Sequence, residues 1–316
     1  MTLRYLLERI AWALLVLLGS SVLIFLIMHV IPGDPAQAML GPEGTPEAVE
    51  TLRRQLGLDQ PLWWQYYHWT SRALMGDLGQ SILLSQSVLS LLIERLPVTL
   101  ALSFYALALA VLIALPASMI SATRPASVAD HAGRFAALFG LAMPNFWLGL
   151  VLVLIFSVGL GWFPVFGYVP LFEDPARHFS HLVIPVVSLG AGYAAMILET
   201  SRNSLIEVLR QDYVRTARAG GLSERKVLWK YALRNALIPT ITVIGIQVGY
   251  LMSGAVIIEN VFAIPGMGRL LVNAVLSRDY PVVQGAMLVI VLIFSFANLI
   301  VDLLCMSIDP RVARRT

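Results

Sequence analysis

The sequence predicts an all-α membrane protein with six transmembrane helices and a small helical module outside the bilayer between the first two. Three observations carry that prediction. Of the 316 residues, 58% are hydrophobic and only 13% are charged, a balance too apolar for a soluble domain of this size. Six stretches meet the requirement of about 20 mostly apolar residues for a spanning helix: Ile10 to Ile31, Val98 to Ile120, Phe135 to Leu160, Leu182 to Leu198, Leu237 to Ile258, and Val282 to Met306. Lysine and arginine, finally, divide unevenly among the loops that alternate along these spans, and cytoplasmic loops are the enriched ones.

The first span follows Arg4 and Arg9, so a secretory signal cleaved near Ala36-Gln37-Ala38 has to be weighed. Its apolar run exceeds the roughly 7 to 15 residues of a signal core, and its removal would leave an odd number of spans. It is therefore expected to stay. The chain then divides into residues 1–97, the first span plus an outer module, and residues 98–316, a core of five spans. In the module Thr45 caps a helix, Pro46 takes its first position and Gly57 ends it; Pro61 opens a second helix that Gly76 closes. The aromatic cluster Trp63, Trp64, Tyr66, Tyr67 and Trp69 either packs this module onto the membrane interface or receives an incoming protein.

Within the core, Pro116, Pro144, Pro185 and the pair Gly245 and Gly249 interrupt spans. Broken helices at membrane depth persist only where protein or a water-filled cavity satisfies the freed backbone, so these positions mark kinked packing or a pathway. Asn145 stands beside Pro144 and is a candidate for either role. Gly245 and Gly249, four apart, form a small-residue face that lets two helices approach closely. Gln247 points roughly opposite Gly245, and an amide is expensive against lipid, so it must find protein or water. It is the candidate for lining a translocation path, with a hydrogen bond to a neighbouring helix as the competing role.

The most polar stretch, Ser201 to Pro239, reads SRNSLIEVLRQDYVRTARAGGLSERKVLWKYALRNALIP. Leu205, Leu209, Tyr213 and Thr216-Ala217 recur at helical spacing, Gly220-Gly221 stops that helix, and Ser223 is placed to cap the next. Eight of the chain's cations lie here: Arg202, Arg210, Arg215, Arg218, Arg225, Lys226, Lys230 and Arg234. Placing this handle inside together with Arg4, Arg9, Arg124, Arg134, Arg311, Arg314 and Arg315 leaves Arg53, Arg54, Arg72, Arg95, Arg177, Arg269 and Arg278 outside, a ratio of about two to one. Both termini are then cytoplasmic. The formal charge of +3 reflects this topology and makes no case for nucleic-acid binding.

Bond chemistry finds no foothold. Neither lysine, Lys226 after Arg225 nor Lys230 after Trp229, fits the glycine-then-lysine order of a phosphate-binding loop. There is no G-x-S-x-G elbow, no HExxH and no paired-carboxylate arrangement. Cys305 is the only cysteine, which excludes an internal disulfide and a thiolate-clustered metal site. His178 and His181, beside Glu173 and Asp174, offer a transient stop for nickel or zinc or are incidental; His29, His68 and His131 are isolated. Glu199 and Asp302 fall toward cytoplasmic span ends, where anchoring to water explains them better than proton coupling. No cofactor is called for, and no metal.

Several segments carry a family resemblance in a fixed order: FLIMHVIPGDPA (Phe25 to Ala36), LGLDQPLWWQYYHW (Leu56 to Trp69), GDLGQS (Gly76 to Ser81), ERLPVTLAL (Glu94 to Leu102), MPNFWLGL (Met143 to Leu150), Asp212 to Pro239, IENVFAIPGMGRLL (Ile258 to Leu271) and RDYPVVQG (Arg278 to Gly285). Together they resemble the permease subunits of bacterial binding-protein-dependent ABC importers, in the branch that moves dipeptides, oligopeptides and nickel. Arg215-Thr216-Ala217 stands where the broader family has Glu-Ala-Ala, a variant the branch shares, and Gly220 stands where the branch usually carries a lysine. The resemblance implies a type I permease core in the bacterial inner membrane. It implies as partners a second, homologous permease subunit, two ATPase subunits and a periplasmic or lipid-anchored substrate-binding protein. The handle, residues 201–236, then becomes the coupling loop, with Ala217, Arg218, Gly221, Leu222 and Ser223 as the contact to the ATPase. A peptide is the expected cargo, with nickel or a nickel chelate as the alternative. An ion-coupled secondary transporter usually buries acidic residues near the bilayer midplane, and none of the six spans has one centrally.

Overall fold

Apolar runs of this length leave their backbone groups no water to bond with in lipid, so they close their hydrogen bonds internally as helices. The computed structural model describes residues 3–30, 35–40, 45–55 and 57–308; Ile31, Pro32 and the basic tail Arg311, Arg314 and Arg315 lie outside them. The helices are, in order, α1 (Leu3–Val30), α2 (Pro35–Leu40), α3 (Pro46–Gln55), α4 (Leu62–Leu74), α5 (Val88–Thr123), α6 (Val128–Ala142), α7 (Asn145–Leu152), α8 (Pro175–Leu209), α9 (Asp212–Ala219), α10 (Glu224–Lys226), α11 (Leu233–Val261), α12 (Met267–Leu276) and α13 (Tyr280–Ile308). Stretches of π-helix, Val153–Gly159 and Val227–Ala232, continue α7 and precede α11. The described residues contain no strand, only an isolated antiparallel bridge between Gln80 and Ser87.

Among the described residues five helical segments are long and apolar enough to cross a membrane, and a bent pair raises the number to six. The bent pair is where the expected third span lies: α6 and the α7 segment meet at an angle of 106°. Pro144 explains the break, because it lacks an N–H and forces Met143 out of the helical region, to φ −90° and ψ 130°. Elsewhere proline does not break the helix. Helix α5 begins ten residues earlier than the expected span and runs through Pro97 and Pro116, and α8 and α11 run through Pro185 and Pro239.

Contacts group the chain into two units. The unit of Met1–Leu7, Leu100–Ile264 and Ala297–Thr316 is organised around α8, which packs on α6, α7 and α11. Leu182, Val186, Leu189, Tyr193, Ile197, Ser201 and Leu205 are buried along it at three- and four-residue spacing. Lipid tails are as apolar as leucine, so close packing and hydrogen bonds hold such helices together. Gly190 shows how close: a Cβ there would sit 2.9 Å from the Ala106 carbonyl oxygen of α5. Ser201 and Thr240 add a buried hydroxyl pair at 3.0 Å between α8 and α11.

The other unit comprises Glu8–Thr99 and Pro265–Phe296. Its core joins Met28, Val88, Leu91 and Leu92 to Met267, Ala274, Tyr280, Val283 and Ala286. The helix punctuation between α1 and α5 matches expectation. Thr45 Oγ1 accepts from the Ala48 N–H at 3.3 Å, and α4 ends in a Schellman turn with Gly76 at φ +83°. Asp279 binds this unit's loop: its buried carboxylate accepts from Ser81 Oγ at 2.5 Å and from the Ile82 N–H at 3.2 Å.

Candidate functional site

The handle differs from its expected form in where it breaks. Instead of one helix through Leu205 to Ala217, α8 ends at Leu209 and α9 starts at Asp212. After α9 the chain turns once and enters a helical run, Glu224–Val261, that is already the next candidate span. The turn closes as a Schellman motif: the Leu222 N–H donates to the Ala217 carbonyl at 3.4 Å and the Gly221 N–H to the Arg218 carbonyl at 3.0 Å. Gly221 takes φ +77°, which a side chain would disfavour even though the space around it is open. Across the turn, Arg218 donates from Nε and a terminal nitrogen to both oxygens of Glu224, at 2.8 and 3.1 Å. Both side chains are solvated, so the pair fixes geometry and adds at most about 1 kcal/mol. Ser223 occupies the N-cap position with extended backbone but makes no capping side-chain bond, contrary to its sequence signal.

Buried Val214 and Val227 anchor the knob, and the Tyr213 hydroxyl receives the Asn235 amide at 2.8 Å. Arg218, Gly221 and Ser223 are exposed while Ala217 and Leu222 are half-buried. The five candidates thus form one continuous, outward-facing turn held by backbone bonds. Such a turn can seat in a cleft of another protein and pass displacement to α8 and α11.

Spacing did not reveal what holds the foot of the handle. Arg202, read only as a topology marker, forms a bidentate pair with Asp130 of α6, at 2.6 and 2.7 Å. Asp130 is buried, Arg202 nearly so, and the carboxylate also accepts from the Ala126 N–H at 2.9 Å. The available signal was Ser127-Val128-Ala129-Asp130: a cap residue followed three positions later by an acid at the start of an apolar run. Ser127 indeed accepts from the Asp130 N–H at 3.2 Å.

The membrane candidates do not converge in one place, though two face the same helix. Gln247 is 4% exposed and its amide donates to Met196 Sδ of α8 at 2.7 Å. Asn145 is half-buried against α8 one turn away, its Oδ1 3.4 Å from where a Gly192 Cβ would stand. Gly245 meets α13, since a Cβ there would overlap Val301, and Gly249 is buried in the same helix. His178 is 1% exposed with Nδ1 on the Val169 carbonyl at 2.7 Å, while His181 bonds the Arg177 carbonyl, so the two imidazoles do not form a site. Among the described residues no three His, Cys, Asp or Glu side chains group to hold a metal.

In the helical module between α1 and α5 the aromatic cluster splits. Tyr66 bonds Ser21 of α1 at 2.8 Å and Trp64 stacks on His68, whereas Trp63 and Tyr67 stay about 70% exposed. Trp64 and His68, with His29, Gln65, Trp69 and Gln284, rim a cavity of about 800 Å³. Nearby, hydrogen bonds from Arg72 and the Gly79 N–H hold the Asp77 carboxyl below its usual range.

Comparison with known proteins covers nearly the whole chain. Residues 114–314 match the family described as binding-protein-dependent transport system inner membrane component, and residues 2–103 match the N-terminal part of such components. Proteins of Brucella abortus (strain 2308) and Brucella melitensis biotype 1, whose names describe a peptide transport system permease protein, are 43% identical over 306 residues, 97% of this chain and 97 to 98% of theirs. The glutathione transport system permease protein of Escherichia coli K12 is 40% identical over 310 residues, 98% of this chain and 99% of its own. A multi-pass helical chain with a solvent-facing handle, alike from end to end to such permeases, belongs to the binding-protein-dependent transport system inner membrane components, the permease family of ABC importers.

Proposed function

We propose that this chain is one of two membrane subunits of an ATP-driven peptide importer, and that the Ala217–Ser223 turn is where separate ATPase subunits grip it. The exposed turn, locked by Gly221 and the Arg218 to Glu224 bridge and carried between two long helices, is the observation that supports this reading. When the ATPase dimer closes on ATP, the turn moves with it and tilts α8 and α11; hydrolysis resets them. Gln247 and Asn145, both facing α8, sit where such a tilt would reshape a path through the membrane. A periplasmic or lipid-anchored receptor delivers the cargo, and both termini and the handle lie on the cytoplasmic side. Relatives named for peptide and for glutathione transport support a short peptide, a di- or oligopeptide, as that cargo.

Copurification tests this directly. The tagged chain, coexpressed with ATPase and second permease subunits of its own system, should retain the ATPase, and Gly221→Trp should lose it. Retention by Gly221→Trp at wild-type yield would reject the contact. Gln247→Leu should keep the ATPase but alter peptide uptake by receptor-supplied proteoliposomes, and unaltered uptake removes Gln247 from the path.

A further inference from the structure

Five of the handle's cations, those from Arg215 to Lys230, fall into two sets. On α9 they are matched within the chain: Arg215 faces Asp212 at 3.6 Å and Arg218 holds Glu224 at 2.8 Å. Beyond the turn, Arg225, Lys226 and Lys230 make no ion pair with any described residue. All three are exposed and, with Ser223 and Trp229, line one shallow concavity of about 510 Å³. Bonding from i to i+5 through Val227–Ala232 widens the helix here and gathers side chains four and five positions apart on one side.

We propose that this face binds the phosphate-bearing headgroup of an anionic phospholipid and fixes the foot of the handle to the bilayer surface. Trp229 is the second observation pointing to lipid: its indole is 57% exposed, and such rings prefer the headgroup layer. Position is the third. The helical run Glu224–Val261 has 38 residues, about 57 Å at 1.5 Å per residue, against a hydrocarbon core of about 30 Å. Its excess length falls on the handle side, where Trp229 and Lys230 precede the apolar run from Leu237 by about two turns. Long lysine and arginine stems let the charges reach the phosphate layer while the indole stays at its edge. The face adjoins the internally neutralised turn and shares Ser223 with it at the edge, so one handle carries a protein contact and a lipid contact side by side.

The test uses the full chain in neutral detergent, titrated with short-chain phosphatidylglycerol, phosphatidylcholine or inorganic phosphate, with the melting midpoint as readout. Phosphatidylglycerol should raise the midpoint saturably and phosphatidylcholine should not. The triple variant Arg225→Gln/Lys226→Gln/Lys230→Gln should bind phosphatidylglycerol on the order of a hundredfold more weakly at low salt, at about one kcal/mol per cation. Arg210→Gln, an exposed handle cation outside the face, should leave binding unchanged. Should the triple variant fail to fold, the wild-type response decides, because it must weaken as salt rises. Undiminished binding in the triple variant, equal effects of the two lipids, reproduction by inorganic phosphate or a salt-independent response each overturns the proposal. A triple variant that keeps lipid binding but loses the ATPase assigns the face to a protein partner and overturns it too.

Discussion

Arg202 illustrates how much one side chain can hold in this molecule. Its guanidinium and the Asp130 carboxylate are both removed from water, and each satisfies the other in a two-bond fork at 2.6 and 2.7 Å. Removing one member strands the other, so Arg202→Leu or Asp130→Ala should cost about 3–5 kcal/mol of stability, read from unfolding in mixed micelles. Arg202→Lys should lose less, because it keeps the charge and gives up the fork. A wild-type unfolding midpoint in Arg202→Leu would show that the pair carries no stability. Gly221 is a milder case: Gly221→Ala meets no neighbour, so only its positive φ is penalised, by about 1 kcal/mol and locally. Faster hydrogen exchange confined to the Ala217–Ser223 turn is the expected signature.

At the scale of helices, what a glycine touches decides whether its loss can be repaired. Gly245→Ala drives a methyl into the Val301 side chain of α13, and Val301→Ala removes the obstacle. The single variant should therefore lose about 1–3 kcal/mol and the double variant should recover most of it. Gly190→Ala meets the Ala106 carbonyl oxygen, a backbone atom that trimming a side chain cannot move. No second substitution at Ala106 should rescue it. Gly19, with nothing within 4 Å of an added Cβ, supplies the control: Gly19→Ala should be neutral or stabilising by up to about 1 kcal/mol. Equal losses at Gly190 and Gly19 would mean that these α5 and α8 backbones do not approach as described.

For the whole molecule, the proposed division of labour gives this chain a path and a handle and leaves the motor to separate subunits. Proteoliposomes holding this chain alone should show no ATP-dependent uptake, and adding the second permease, the ATPases and the receptor should restore it. Uptake by the single chain would refute the division of labour. The same dependence should appear in the handle: a bulky residue at Gly221 should abolish uptake while lowering the melting midpoint by no more than Gly221→Ala does, since both carry the same positive-φ penalty. A fall in midpoint well beyond that of Gly221→Ala would make that turn a folding element instead.

Composition and spacing alone determined the membrane class, the order of the apolar helices, the caps at Thr45 and Gly76, and the glycine-stopped knob of the handle. These depend on local chemistry: what lipid excludes, and which residues tolerate a cap or a positive φ. Tertiary structure decided the rest. Pro144 breaks its helix by 106° while Pro97, Pro116, Pro185 and Pro239 do not, although each lacks the same N–H. Neighbouring helices determine which freed carbonyls can be tolerated in line, and that is not written in the proline's own surroundings. Ser223 had the residue type of a cap without making the bond, and Arg202 had the look of a solvated cation while its partner lay 72 residues away. Long-range pairing of this kind comes from helices crossing in space, where one buried charge must find another, and no periodicity along the chain encodes the meeting.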